Sequence, residues 1–467
     1  MSKWTMAVVG IAMAVFIGVL GYFYLNRDIP TYYPSIEDHF KYGSIGTERD
    51  AGVPYWIWKV LPQMFPDRIT PEGYKSFGFI FEPGHERAIG MTNRVVVIER
   101  VGLNCAVCHT GTVRDTPSSP PKIILGMPAN RLNLQGYFRF LVACGRDPRF
   151  TAGDVMAEIK KVTKLSWLES LTYYVGFYIV KQRLLQKGEQ NSFMDSRPDW
   201  GPGRVDTFNP YKAYFHMDTS ADHTIGTADL PSLWNQKARE GLWLHWDGDN
   251  DRVRERNISA ALAVGAAPNT LDFDSLKRIE GWIMELPAPS YPYEIDRNLA
   301  SKGGALFSQR CANCHAFGSP GVGQVVPKAE VGTDPQRVDS FTPELVMKMN
   351  TLGAGYPWKL SHYRKTDGYS SVPLDGIWAR GPYLHNGSVP TLWELLLPAD
   401  QRPRTFYRGY DVYDRARVGF VSQGPEAQAA GWKYDTSVPG NANQGHLYGT
   451  DVSDADRRAL VEYMKTL

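Results

Sequence analysis

Two pentapeptides constrain this chain more than any other feature. Cys105-Ala106-Val107-Cys108-His109 and Cys311-Ala312-Asn313-Cys314-His315 share the pattern C-x-x-C-H and lie 206 residues apart. Two cysteines three apart reach the two vinyl groups of one haem and form thioethers. The histidine that follows then presents its imidazole to the iron from the proximal side. Structural zinc would need a further ligand pair near each motif, and neither has one. A redox dithiol has no use for a histidine after the second cysteine, twice over. The expected cofactors are therefore two covalently bound haem c groups, on Cys105, Cys108, His109 and on Cys311, Cys314, His315. Of the five cysteines only Cys144 is left over, and it reads as a buried free thiol.

Covalent haem of this kind is attached outside the cytoplasm, and the start of the chain agrees with export. Trp4 to Leu25 carries no charge and is long enough to cross a bilayer as a helix. The run is longer than the apolar core of a cleaved signal. It leaves through Tyr22, Phe23 and Tyr24, which suit a membrane interface better than a cleavage site. The expectation is one N-terminal transmembrane helix in the inner membrane with the soluble domains in the periplasm. Nothing else in the chain is membrane-like, since the mean hydropathy is -0.33. Lys+Arg 51 against Asp+Glu 49 leaves a net charge of +2, which gives no basis for nucleic-acid binding.

The fold expected is mainly α, with two cytochrome c-like haem domains carrying long loop insertions behind the anchor. The anchor covers 1–27. Pro287-Ala288-Pro289-Ser290-Tyr291-Pro292 follows an apolar helical pattern over Leu276–Leu286 and is the best boundary, giving haem domains at 28–288 and 289–467. Asn298–Phe307 reads as a helix running into the second motif. Ser453 with Asp456 starts a terminal helix whose apolar face is Leu460, Met464 and Leu467. Ala316 to Pro373 reads as loop.

Several short motifs carry a family resemblance. Leu230-Pro231-Ser232-Leu233-Trp234-Asn235 and His245-Trp246-Asp247-Gly248 resemble the haem-bridging segment of the bacterial dihaem cytochrome c peroxidase superfamily. Val372 to Trp378 and Gly381 to Leu392 resemble its second-domain signature. Gly445-His446 with Tyr448-Gly449-Thr450 resembles its rubber-oxygenase-like branch. The superfamily holds peroxidases, an enzyme that oxidises protein tryptophan and rubber-cleaving oxygenases, so the resemblance implies redox chemistry without fixing a substrate. It implies that Trp246 relays electrons between the haems, with Asp247 fixing the turn or accepting the indole N–H and Gly248 allowing the tight backbone. It also implies a place for calcium between the domains, as some relatives carry.

The sixth iron ligands decide the chemistry. The resemblance gives His446 as the second iron's distal ligand, because its branch uses a Gly-His histidine and no Met lies between His385 and Met464. His385 is the competitor, although its place in the motif reads better as loop-organising. For the first iron, His223 lies where the peroxidases keep a reversible distal histidine, His245 adjoins Trp246, and an open site is the third alternative. The peroxidases place an acid–base Glu some way after this Trp. Here that stretch is Ala260 to Ala267 without a carboxylate, Glu255 being too early and Asp272 too late. Two readings follow. One is an oxidoreductase, with Trp246, His223 and His245 as catalytic candidates, that activates peroxide or oxygen at haem one and exchanges electrons through haem two. The other is a non-enzymatic electron carrier serving a membrane respiratory partner. Either needs a redox partner protein: a small cytochrome, a cupredoxin or a respiratory complex.

Overall fold

The computed structural model describes residues 3–467. The side chains of helix α1 (Lys3–Leu25) are mostly exposed. It is long and apolar enough to cross a membrane. Just beyond it, Arg27 covers the Tyr24 ring at 4.2 Å and donates to the Val97 carbonyl at 2.5 Å, so the helix leaves the body of the protein at a defined point.

That point is the rim of a small antiparallel sheet. Strands β1 (Asp28–Pro30), β2 (Val53–Pro54), β3 (Arg94–Val96) and β4 (Ile98–Val101) run in the order β1-β3-β4-β2. Beside it pack α2 (Leu134–Arg146), α3 (Ala152–Val162) and the 24-residue α4 (Trp167–Gln190). The start of α4 is fixed by a full capping box: Ser166 accepts from the Glu169 N–H, and Glu169 accepts from the Ser166 N–H. Tyr173 and Phe177 are its buried side. Helices α5 (Val253–Ala263) and α6 (Phe273–Glu285) follow, the second where the Leu276–Leu286 pattern put it.

Helix α7 (Arg297–Arg310) runs into Cys311 and crosses the terminal helix α8 (Asp454–Met464). The crossing is backbone on backbone. A Cβ on Gly303 would lie 1.9 Å from the Ala459 carbonyl oxygen, which only glycine permits. Ser453 caps α8 through the Asp456 N–H, as its sequence predicts, and the helix stops at Met464. The stretch 316–373 is largely loop, but holds short helices at Gln336–Ser340 and Pro343–Met349. No strand among the described residues exceeds four residues, so the molecule is helix-rich with many short β ladders.

Three large apolar cores and two small clusters hold the described residues together. One lies within residues 53–230. The second joins Phe40, Leu233 and Ile279 to Phe341, Leu345 and Trp358, and the third joins Val113, Met127 and Trp234 to Tyr291, Trp378 and Leu460. The chain on either side of residue 288 thus contributes to shared cores.

Candidate functional site

The first C-x-x-C-H is a single tight turn. Asn104, fully buried, caps it by accepting from the Ala106 N–H at 2.9 Å. Its amide donates to the carbonyls of Phe40 and Gly43, which fastens the motif to the end of the short helix Ile36–Tyr42. His109 Nδ1 donates to the Pro231 carbonyl at 2.7 Å. The second motif repeats the plan: Cys311 ends α7, Ala312–His315 forms one helical turn, and His315 Nδ1 donates to the Val372 carbonyl at 2.7 Å. In both, the bond fixes the tautomer that leaves Nε2 bare and lone-pair-bearing, as a metal-binding histidine requires. Burial holds His109 neutral, down to about 4, with Arg256 adding to the effect, and lowers His315 likewise.

The two accepting carbonyls explain two of the sequence motifs. Pro231 belongs to Leu230–Asn235 and Val372 opens Val372–Trp378. Asp375 ties the pair together, accepting from Asn235 at 2.8 Å and from Arg239 at 2.5 Å and Arg380 at 2.7 Å. Trp234 and Trp378 are buried behind the motifs, their indoles donating to the Leu125 and Pro289 carbonyls. Trp234 is core. Trp243 is not: it is half-buried, faces the cavity described below and lies under the Arg364 guanidinium.

The two histidines differ in what faces them. His446 stands opposite His315 with ring centres 6.1 Å apart. Two imidazoles on one metal, with bonds of about 2 Å and about 1.15 Å from nitrogen to ring centre, would sit about 6.3 Å apart. His446 is held by its N–H to the Val331 carbonyl at 2.7 Å, in a left-handed conformation (φ 47). Gly445 precedes it because a Cβ there would lie 2.2 Å from the Gly332 backbone. His446 Nδ1 is buried without a partner, and burial pulls the imidazole down to about 4. His385 is committed elsewhere, stacked on Tyr369 at 4.1 Å with Nε2 at 3.1 Å from the tyrosine hydroxyl, while its carbonyl accepts from the Asp229 N–H.

No ring pairs with His109 in this way among the described residues. It opens instead on a cavity of about 1040 Å³ that also reaches Cys105, Cys108, Trp246 and Val372. One wall is the run Ala260 to Pro268, with no carboxylate in it. His223 lies exposed on a loop outside the cavity. His245 lines it, in a left-handed conformation (φ 61), with Nδ1 on Asp249 at 2.5 Å and its ring against Tyr363. The sequence reading missed this His–Asp pair. Its only signal was a carboxylate four residues after the histidine, which periodicity does not single out in a loop. Arg256 lines the same cavity, buried, with no carboxylate partner among the described residues.

The Trp246 expectation needs one correction. Its indole N–H goes to the Asp229 carbonyl at 2.8 Å and not to Asp247. Asp247 is buried against Arg337 at 2.9 Å, because an unpaired carboxylate there would be left without solvent. Gly248 does take the left-handed turn (φ 64). The Trp246 carbonyl accepts from the Ser370 N–H, two residues before Val372, so a bonded route runs from the cavity wall to His315.

Comparison with known proteins bears on the second half of the site. Residues 368–407, which carry Val372, Asp375, Trp378 and His385, match the family described as RoxA-like, cytochrome c-like. This links the chain to RoxA-like cytochrome c proteins and suggests haem c as a cofactor. The chain is also similar to two uncharacterized proteins of Sinorhizobium fredii. It is 32% identical to y4iM over 282 residues, covering 51% of this chain and 64% of that protein. It is 25% identical to y4iJ over 476 residues, covering 79% and 77%. The match thus spans less than two thirds of y4iM. The residues present fit haem: each turn offers two thiols and an Nε2, the His315–His446 spacing suits one metal, and unpaired Arg256 suits a group that carries carboxylates.

Proposed function

We propose that the chain is a dihaem c-type cytochrome, held in the inner membrane by α1 with its soluble part in the periplasm, and that it works as an oxidoreductase. Peroxide or oxygen would be activated in the cavity beside His109, and electrons exchanged through the His315–His446 site. The observation that carries this reading is the asymmetry of the two sites: His315 faces a second imidazole, and among the described residues no ring faces His109. A site closed on both sides suits electron exchange; a site with room on one side suits substrate.

Haem c supplies one-electron chemistry and an iron able to take a small oxidant. The protein's part is positional. Pro231 and Val372 orient the two proximal histidines. The Ala260 to Pro268 wall gives the cavity one apolar side. Asp249 fixes His245 so that Nε2 can hold or release a proton in the cavity, the shuttle that the missing Glu left unfilled. Trp246, on the cavity wall and bonded towards His315, is placed to relay electrons. Exposed Phe317, Leu447 and Tyr448 beside the His315–His446 pair support a contact surface there for a small redox protein.

Pyridine haemochrome analysis should give two haems per chain, neither extractable by acid acetone. His446→Ala should convert one low-spin signal to high-spin and leave the other site's spectrum in place. One haem per chain, or an unchanged spectrum in the variant, refutes the assignment.

A further inference from the structure

Helix α4 has two apolar faces where a soluble helix needs one. Tyr173 and Phe177 are buried against α2 and α3. On the other side Trp167, Leu171, Tyr174, Val175, Tyr178 and Ile179 are between 46% and 77% exposed. Their spacing is that of one stripe along a helix, roughly 18 Å long at 1.5 Å per residue. A continuous exposed apolar stripe of this size marks a surface that something covers.

The position of the stripe says what covers it. Tyr24, one residue before the end of α1, puts its hydroxyl 3.1 Å from Thr172 Oγ1 on α4. The apolar face of α4 therefore begins where the membrane-spanning helix ends. Lys160, Lys161 and Lys164, all exposed, lie just before α4 and suit the phosphates of anionic lipid. Trp and Tyr side chains, abundant in the stripe, favour the bilayer interface.

The stripe is also the doorway of the large cavity. Val175 and Ile179 are both exposed and part of the cavity lining, as are Thr172 and Gly176 between the two faces. Val97, whose carbonyl holds Arg27 at the exit of α1, lines the same mouth. Arg183, further along α4, braces the helix across the rim by donating to the Asp50 carbonyl at 2.6 Å.

We propose that α4 lies in the interface of the bilayer that α1 crosses, so that the cavity beside His109 opens into lipid and receives its ligand as an apolar, membrane-dissolved molecule. This rests on the anchored reading given above. It adds a binding surface and a substrate class to that reading: an uncharged lipid-phase compound, in place of one taken from the periplasmic water.

The test uses the full chain with its haems, reconstituted in nanodiscs containing anionic phospholipid. Single cysteines replace Val15 on α1, Tyr178 and Ile179 on α4, and Met347, an exposed residue of the helix Pro343–Met349. Each carries a nitroxide; Cys144 is fully buried and should not react. Collision with oxygen, which concentrates in lipid, is compared with collision by a water-soluble nickel chelate. The labels at 15, 178 and 179 should favour oxygen over the chelate several-fold more than the label at 347. If 15 is in lipid but 178 is in water, α4 does not dock, and the anchor stands without it. If 178 is in lipid but 179 is in water, the mouth does not open into the bilayer and the substrate class is wrong. If 15 is itself in water, the anchored reading fails and takes this proposal with it. Tryptophan quenching by brominated lipid, reduced in Trp167→Phe but not abolished because Trp4 lies on α1, checks that the labels have not disturbed the helix.

Discussion

Replacing Trp246 by Phe probes the link between the two sites with little damage to the fold. The indole N–H donates to the Asp229 carbonyl at 2.8 Å, and the ring packs against the small cluster of Val326, Val331, Val338 and Tyr369. Phenylalanine keeps that packing but not the donor. The lost hydrogen bond costs about 1 kcal/mol and the smaller ring about 1 kcal/mol more. A domain stability of about 5–15 kcal/mol absorbs this, so haem content and spectra should stay near wild type. The Trp246 backbone, which accepts from the Ser370 N–H, is unaffected. Removing the easily oxidised indole leaves a gap in the route to His315. Equilibration between the sites, followed by stopped flow after partial reduction, should slow at least about tenfold, equivalent to about 1.4 kcal/mol of barrier. A Phe variant that equilibrates at the wild-type rate with intact spectra would show that Trp246 is only packing.

Three further outcomes follow from the packing. Gly303→Ala puts a methyl against the Ala459 carbonyl at the α7–α8 crossing and should destabilise by about 3 kcal/mol in a denaturant titration. Gly281→Ala, in α6 with open space around it, should instead stabilise by about 0.5–1 kcal/mol; equal effects would discredit the crossing. Arg337→Met leaves Asp247 buried without its partner and should cost about 3–5 kcal/mol, much of which Arg337→Met with Asp247→Leu should recover.

What could be read without coordinates was whatever local spacing determines. The C-x-x-C-H turns are fixed by five consecutive residues, and α1, α6, α7 and α8 by apolar periodicity and caps. Of the candidate ligands, His446 was reachable by its motif, and the coordinates add its distance from His315. His223 was chosen by its distance along the chain from Trp246, and in a loop-rich protein that distance says little about proximity; it lies outside the cavity. The partner of the Trp246 indole was misplaced for a similar reason. Asp247 is the adjacent acceptor, but Arg337, 90 residues on, claims it, and Asp229 supplies the carbonyl. Helix α4 went unnoticed because apolar residues on two faces blur the single stripe that marks a helix.

On the proposed reading the two sites differ, one closed by a second histidine and one open to a cavity. Low-temperature electron paramagnetic resonance of the oxidised full-length protein, repeated after half-reduction, measures this directly. Two irons per chain are expected: a low-spin signal from paired imidazoles, abolished in His446→Ala, and a separate high-spin signal in at least one of the two states. Two low-spin signals in the oxidised protein, with no high-spin signal there or after half-reduction, would contradict it and make the chain an electron carrier.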